Sequence, residues 1–143
     1  MTFSELFVRQ KLSEVEKYQG ELGTLLEYAD GEILRDTGRT HIAERLLQLI
    51  VDTLIDINQH LIKELGLVPA EDFQSTFSIL AQHGVLRPDF VNSIAPVVGL
   101  RNRVVHRYET LDKTLFIAML RKNQKDFAEY VAAIDAYVTT QGK

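Results

Sequence analysis

One segment of the chain gathers side chains that can bind and cleave a phosphodiester. Residues 99–108 supply, in chain order, Arg101, Asn102, Arg103, His106, Arg107 and Tyr108. Arginine presents fixed paired donors to phosphoryl oxygens, and histidine, with an ordinary pKa of about 6.5, takes or gives a proton at cellular pH. Asparagine can orient either an imidazole or a scissile group. These residue types favour a phosphate site in which His106 transfers a proton.

The spacing of this segment limits how its groups can meet. A helix turns about 100° per residue, so Arg101 and His106 diverge by about 140°, whereas Asn102 and His106 share a face. Only a long arginine side chain could converge with the imidazole on one ligand. The 2′-hydroxyl of RNA would then be the nucleophile, and Arg101 would stabilise the charge that grows on the phosphoryl oxygens, without a metal. The alternative is a basic, partly exposed helix end without chemistry.

Charge is unevenly distributed along the chain. Twenty acidic and 16 basic side chains give a net charge of −4, which argues against a broad nucleic-acid-binding surface. Residues 90–108 contain no aspartate or glutamate but three arginines. An acidic body with one basic segment is typical of a site for a specific anion, and also of a helix that packs against acidic neighbours.

The histidines do not predict a metal site. There are four of them, at His41, His60, His83 and His106. No two lie three to five positions apart, and the chain has no cysteine. We expect His60 to pair with Asp56, one helical turn away, and His41 and His83 to be solvated.

A polar stripe interrupts an otherwise apolar helix in the first half of the chain. It consists of Asp52, Asp56, Gln59 and Lys63. Two interpretations stay open: the stripe is the solvated face of the helix, or part of it lines a cleft.

The elements that must position these residues are helices, because apolar side chains recur at spacings of three, four and seven. The apolar stripes run over Val8–Ala29, Ala43–Leu61, Phe73–Leu80, Val91–Val105 and Phe116–Val138. They predict one all-α domain over residues 1–143, a bundle of about five helices.

Breaks between the predicted helices are marked by turn and capping residues. Asp30-Gly31 and Thr37-Gly38 are expected to connect the first two helices, with Thr2 and Glu5 capping the first. Gly66 and Pro69 end the second helix, and Gly84 ends the third in a left-handed conformation. Pro88 suits the first turn of the fourth helix, and Pro96 is expected to bend that helix. Asp112 can cap the fifth helix.

Composition narrows the class of protein further. A chain of 143 residues with 45% hydrophobic side chains fills one core, and the absence of cysteine excludes disulfides and a thiolate nucleophile. No apolar run reaches the roughly 18 residues of a membrane span, and no secretion signal is recognisable at the N-terminus. We therefore expect a cytoplasmic protein that makes no membrane contact.

The sequence resembles a known family. Residues 101–108 match the R-x-x-x-x-H-x-Y motif of HepT-like toxins, a branch of the HEPN ribonuclease superfamily, including the polar residue directly after the arginine. Residues 51–62 are similar to that family's Asp-Ile-x-x-His helix, and residues 77–84 and 94–102 are similar to the stretch that leads into its motif.

This resemblance implies a toxin of a toxin–antitoxin module. Such toxins are α-helical homodimers whose two motifs face one cleft, and they cleave tRNA or mRNA without a metal or other cofactor. Their partner is a nucleotidyltransferase of the MNT type, which transfers AMP from ATP to the motif tyrosine.

Carried over to this chain, the resemblance assigns a role to each residue of the motif. Arg101 and His106 become the catalytic pair, Asn102 a supporting group, and Tyr108 the site of AMP transfer. Arg103 and Arg107 are not fixed by the motif but fit contacts to backbone phosphates. An adenylyl group on Tyr108 would bring negative charge beside the arginines and block the path of the RNA.

A different class of function stays open. Some HEPN-like domains serve as nucleotide-binding or protein-interaction modules without catalysis. In that case Arg101 and Arg103 would bind a nucleotide or a partner protein.

Overall fold

The computed structural model describes residues 3–106 and 108–141, with the side chain of Tyr108 excepted. In these residues the chain forms seven α-helices, one short 3₁₀ helix and no strand. The α-helices are α1 (Glu5–Leu25), α2 (Asp30–Arg35), α3 (Thr37–Glu64), α4 (Phe73–Gln82), α5 (Pro88–Ile94), α6 (Val97–His106) and α7 (Lys113–Gln141). The 3₁₀ helix spans Tyr108–Thr110. The all-α prediction is confirmed.

The expected connection between the first two helices is itself largely helical. Residues 30–35 form α2, and Thr37 and Gly38 belong to the first turn of α3, so the interpretation of both pairs as a loop was wrong. Asp36 is the extended residue between the two helices, and its carboxylate accepts a hydrogen bond from Arg39 N at 3.1 Å. The connection from α1 to α3 thus consists of residues 26–29, the short helix α2 and the capping residue Asp36. At α1, Thr2 of the expected cap lies outside the described residues, and Glu5 is the first helical residue. The N-cap is Ser4, whose hydroxyl accepts from Phe7 N at 3.1 Å.

The proline and glycine predictions are confirmed, and Pro96 does more than bend its helix. The predicted fourth helix is divided into α5, which ends at Ile94, and α6, which begins at Val97. Pro88 occupies the first turn of α5. Gly66 and Gly84 follow α3 and α4 with φ of +71° and +76°, the left-handed region that favours glycine.

Helix α3 lies at the centre of the molecule. It contacts α1, α2, α4 and α6, while α7 packs against α1, α2 and α5. The core-facing residues predicted for α3 are all buried, namely Ala43, Leu46, Ile50, Leu54, Ile57 and Leu61. The buried apolar side chains form one cluster.

Three residues predicted to face the core do not. Ala29 is exposed, Phe73 is 43% exposed and Val105 is 37% exposed. Ala29 lies between α1 and α2, Phe73 is the first residue of α4, and Val105 lies next to the end of α6. Helical periodicity fails at these positions because a helix end can extend past the elements that bury its middle.

A chain of buried hydrogen bonds joins three helices and fixes the start of α4. The Tyr130 hydroxyl of α7 donates to Asn58 Oδ1 of α3 at 2.6 Å, and Asn58 Nδ2 donates to Thr76 Oγ1 at 3.0 Å. Thr76 Oγ1 in turn donates to the Phe73 carbonyl at 2.6 Å. Burial raises the pKa of Tyr130 well above its ordinary value, so this hydroxyl keeps its proton.

None of the helices in the described residues is long and apolar enough to cross a membrane.

Candidate functional site

A cleft of about 750 Å³ is lined by four of the six candidate site residues of the segment 99–108. Its α6 wall is formed by Arg101, Asn102, Arg103 and His106. Its other wall, at the start of α4, is formed by Glu71, Asp72, Phe73 and Gln74. Arg107 and the side chain of Tyr108 lie outside the described residues.

Arg101 is held by two side chains. Its guanidinium Nε donates to Asp52 Oδ1 of α3 at 2.8 Å, and its Nη1 donates to Asn102 Oδ1 at 3.2 Å. The Arg101 side chain is 14% exposed. Because a guanidinium has five N–H donors in one plane, the bond to Asp52 fixes its orientation and leaves donors on the Nη atoms for a ligand.

His106 and Arg101 line the same cleft although they diverge on the helix. Arg101 is partly buried against α3, whereas His106 is exposed at the last residue of α6. Asn102 and Arg103, also exposed, lie between them in sequence. Imidazole, guanidinium and amide groups are therefore presented to one cavity, a combination that can hold a phosphate and transfer a proton beside it.

The two walls of the cleft carry opposite charge. Glu71 and Asp72 line the cavity at the start of α4, and Arg101 and Arg103 line it on α6. The Asp72 carboxylate accepts a hydrogen bond from Ser75 N at 2.7 Å. Hydrogen bonding to the side chain of Ser75, and secondly to its backbone N–H, lowers the pKa of Asp72. A bound polyanion is thus favoured at the α6 wall and disfavoured at the α4 wall.

The polar stripe of α3 divides into three parts, and the interpretation that part of it lines a cleft holds for Gln59 and Lys63. Asp52 supports Arg101. Asp56 is exposed and its carboxylate lies 3.6 Å from Lys11 Nζ. Gln59 and Lys63 line a different cavity of about 500 Å³. Sequence reasoning missed the role of Asp52, for which the available signal was an acidic residue on a mostly apolar helix.

The predicted pair of His60 and Asp56 does not form. His60 Nε2 accepts a hydrogen bond from Ser4 N at 3.1 Å, and its ring stacks on Phe7 with centroids 4.4 Å apart. Packing of α1 against α3 supplies both partners, which a reading of α3 alone does not contain. Burial lowers the pKa of His60.

The other two histidines outside the motif are exposed, as predicted, at His41 and His83. In the part of the chain that the structure describes, no group of three or more histidine, cysteine, aspartate or glutamate residues is placed to hold a metal ion.

Comparisons with curated proteins identify relatives that are nucleases. The chain is similar to the tRNA nuclease HepT of Aphanizomenon flos-aquae, with 29% identity over 135 residues, spanning 94% of this chain and 92% of that protein. It is also similar to the mRNA nuclease HepT of Shewanella oneidensis, with 27% identity over 90 residues, spanning 63% of this chain and 68% of that protein.

Solved structures share the fold. One is the tri-AMPylated Shewanella oneidensis HEPN toxin in complex with its MNT antitoxin, with a TM-score of 0.83 and 22% identity over 91% of this chain and 97% of that one. Another is YutE, a cytosolic protein of unknown function from Bacillus subtilis, with a TM-score of 0.82 and 15% identity over 99% of this chain and 95% of that one.

The family model described as Ribonuclease HepT-like matches residues 10–134. This range includes the whole of the motif segment and most of the chain. The protein therefore belongs to the HepT-like ribonuclease family.

Proposed function

We propose that this protein is the toxin of a toxin–antitoxin module and an endoribonuclease that acts on tRNA or mRNA in the cytoplasm. The observation that carries the proposal is that Arg101 and His106 line one cleft. The similarity to nucleases of tRNA and of mRNA supports the class of substrate.

In the proposed reaction, the ribose 2′-oxygen attacks the adjacent phosphorus and the 5′-oxygen of the next nucleotide leaves. His106 takes the proton of the 2′-hydroxyl, and the leaving oxygen receives a proton from solvent or from the imidazole of a second copy. The products are a 2′,3′-cyclic phosphate and a 5′-hydroxyl.

Charge stabilisation in this reaction comes from the chain's own cations. The Nη donors of Arg101, oriented by Asp52, point to the phosphoryl oxygens where negative charge grows. Asn102 accepts from Arg101 Nη1 and keeps its own amide N–H groups for the ligand. Arg103 and Arg107 contact neighbouring backbone phosphates. Because arginines supply the positive charge, we propose that no metal is required.

Two partners complete the proposal. A second copy of the chain forms a homodimer in which the two motifs share one cleft. An MNT-type nucleotidyltransferase neutralises the toxin: the Tyr108 oxygen attacks the α-phosphorus of ATP, AMP is transferred and pyrophosphate leaves. The similarity in fold to a tri-AMPylated toxin bound to an MNT antitoxin supports this partner.

The test of catalysis is incubation of purified protein with total tRNA or mRNA in EDTA. We expect cleavage by the wild type and by His83→Ala, an exposed histidine outside the cleft, and products that carry a 2′,3′-cyclic phosphate. Arg101→Ala and His106→Ala should not cleave. Cleavage by His106→Ala would overturn the assigned chemistry, and loss of wild-type cleavage in EDTA would overturn metal independence. Absence of cleavage of both RNAs together with stoichiometric ATP binding would support the non-catalytic module instead.

Modification is tested separately by mass spectrometry after incubation with the nucleotidyltransferase and ATP. We expect AMP on the wild type and a loss of cleavage. Tyr108→Phe should keep cleavage and escape neutralisation. AMP on other residues only, with Tyr108 unmodified, would contradict the assigned modification site.

A further inference from the structure

The α4 wall of the cleft carries an aromatic side chain that the proposed reaction does not use. Phe73 is 43% exposed, whereas Phe77, one turn later on the same helix, is fully buried. Phe73 lines the cavity that also contains Arg101 and His106. Other large exposed apolar side chains lie outside this cleft, including Leu6, Ile42, Val68 and Leu115.

The backbone of Phe73 is fixed from both sides. Asp72, directly before it, caps α4 through Ser75 N at 2.7 Å. The Phe73 carbonyl accepts from Thr76 Oγ1, which is bonded to the buried Asn58. Hydrogen bonds therefore hold the first turn of α4, which carries Phe73, and a contact on a held backbone loses less conformational freedom when a ligand binds.

The charges of the two walls decide which part of a nucleotide would lie against Phe73. Arg101 and Arg103 attract phosphates to the α6 wall, while Glu71 and Asp72 repel phosphates from the α4 wall. A strand held by its backbone along α6 would thus direct a base towards α4. An exposed aromatic face is the surface on which unpaired bases stack.

We infer that Phe73 is the stacking platform for an unpaired nucleobase next to the phosphodiester held by α6. This inference rests on the proposed function and specifies the local structure of the RNA substrate. A base inside a duplex has its faces covered by its neighbours, so the RNA must be single-stranded at the position that enters the cleft.

The chain has no tryptophan, so Phe73→Trp introduces a single fluorescent reporter at the site. The probe is a short 2′-O-methyl RNA, which has no free 2′-hydroxyl and resists the proposed cleavage. We expect this oligonucleotide to bind Phe73→Trp and quench its emission. A duplex, or an oligonucleotide of the same length without bases, should not quench it.

Phe73→Ala gives the complementary measurement. We expect it to bind the probe about 5- to 100-fold more weakly than the wild type, because it loses one base–aromatic stack. With cleavable RNA, KM should rise while kcat changes little, because a stacked base is bound in the ground state as well as in the transition state. Phe73→Tyr keeps a ring and should retain binding. Val68→Ala removes an exposed apolar side chain outside the cleft and is the matched control.

Three outcomes would overturn the inference. The first is that Phe73→Ala binds the probe and cleaves RNA with the same affinity and KM as the wild type. The second is equal quenching by the oligonucleotide without bases. The third is a change in the oligomeric state of Phe73→Ala with unchanged RNA binding, measured by light scattering, which would make the ring a protein contact. If Phe73→Ala cleaves RNA with the KM of the wild type, the stacking inference fails and the proposed reaction stands. If binding of the probe depends on Phe73 but the wild type cleaves no RNA, the proposed reaction fails and the stacking inference stands.

Discussion

Asp52 and Arg101 join the central helix to the motif helix: Asp52 Oδ1 accepts from Arg101 Nε at 2.8 Å. The two residues are 49 positions apart in sequence. The aspartate is 39% exposed and the arginine 14%, so this ion pair is more shielded than a surface pair. It uses the Nε donor of the guanidinium, while Nη1 donates to Asn102 and the residue lines the cleft. Asp52 is thus a positioning residue for Arg101.

Replacement of Asp52 is expected to slow RNA cleavage. Asp52→Ala removes a hydrogen bond between charged groups, which contributes about 1.5–3 kcal/mol, and we expect kcat to fall about 10- to 100-fold. Asp52→Asn keeps an acceptor oxygen and should recover part of the rate. Cleavage kinetics of both variants, with thermal unfolding as a check of the fold, measure the effect.

Asp56→Ala is the control for that experiment. Asp56 lies one turn from Asp52 on α3 and pairs with Lys11 rather than with the motif. Equal kinetics of Asp52→Ala and Asp56→Ala would show that Asp52 does not position Arg101.

Arg103 is expected to contribute one phosphate contact to the salt dependence of RNA binding. Each phosphate contact to a single strand contributes about 0.7 to the slope of log K against log salt concentration. Arg103→Ala should therefore weaken binding of all sequences similarly and reduce that slope by about this amount. Filter binding at several salt concentrations gives the slope. Arg87→Ala, at a residue that pairs with Glu129 and lines another cavity, should leave it unchanged.

The buried polar chain of Tyr130, Asn58 and Thr76 is expected to stabilise the fold and the start of α4. Asn58→Ala removes the hydrogen bonds of Asn58 to the hydroxyls of Tyr130 and Thr76 and opens a buried cavity, and we expect the free energy of unfolding to fall by about 2–4 kcal/mol. Tyr130→Phe should lower the free energy of unfolding by about 1–2 kcal/mol. Urea denaturation measures both. Thr140→Ala is the control, at an exposed threonine whose hydroxyl donates to the Ala136 carbonyl of its own helix, and its stability should lie within about 0.5 kcal/mol of the wild type.

Acid is expected to loosen the contact between the start of α1 and α3 through His60. Burial is the main cause that lowers the pKa of His60, with a smaller lowering by Lys63 and an opposing effect of Glu64. The unfolded chain therefore binds more protons than the folded chain as the pH falls below about 6.5. Protonation also converts Nε2 from an acceptor to a donor and removes its bond to Ser4 N.

Stability should accordingly be lost as the pH falls from about 6.5 towards the lowered pKa of His60. Thermal unfolding between pH 7.5 and pH 5 measures this loss. His60→Gln cannot titrate and should show a weaker pH dependence, whereas the exposed control His83→Gln should behave as the wild type. An unchanged pH dependence in His60→Gln would contradict the prediction.

Much of the fold could be predicted from the sequence because it depends on neighbours within a few positions. The apolar stripe of α3 and the ends of helices at Gly66, Gly84 and Pro88 follow from helical periodicity and from the backbone preferences of glycine and proline. The spacing of Arg101 and His106 likewise placed both on one predicted helix. A helix carries these signals within its own sequence.

Tertiary packing decided the contacts that complete the candidate site. Asp52 contacts Arg101, 49 positions away in sequence, because α6 packs against α3. His60 contacts Ser4, 56 positions away, because α1 packs against α3. Phe73 has the periodicity of a core residue, yet it lines the cleft and is 43% exposed, whereas Phe77, one turn later, is fully buried. Periodicity indicates which face of a helix is apolar, whereas the packed neighbours determine how far along the helix that face is buried.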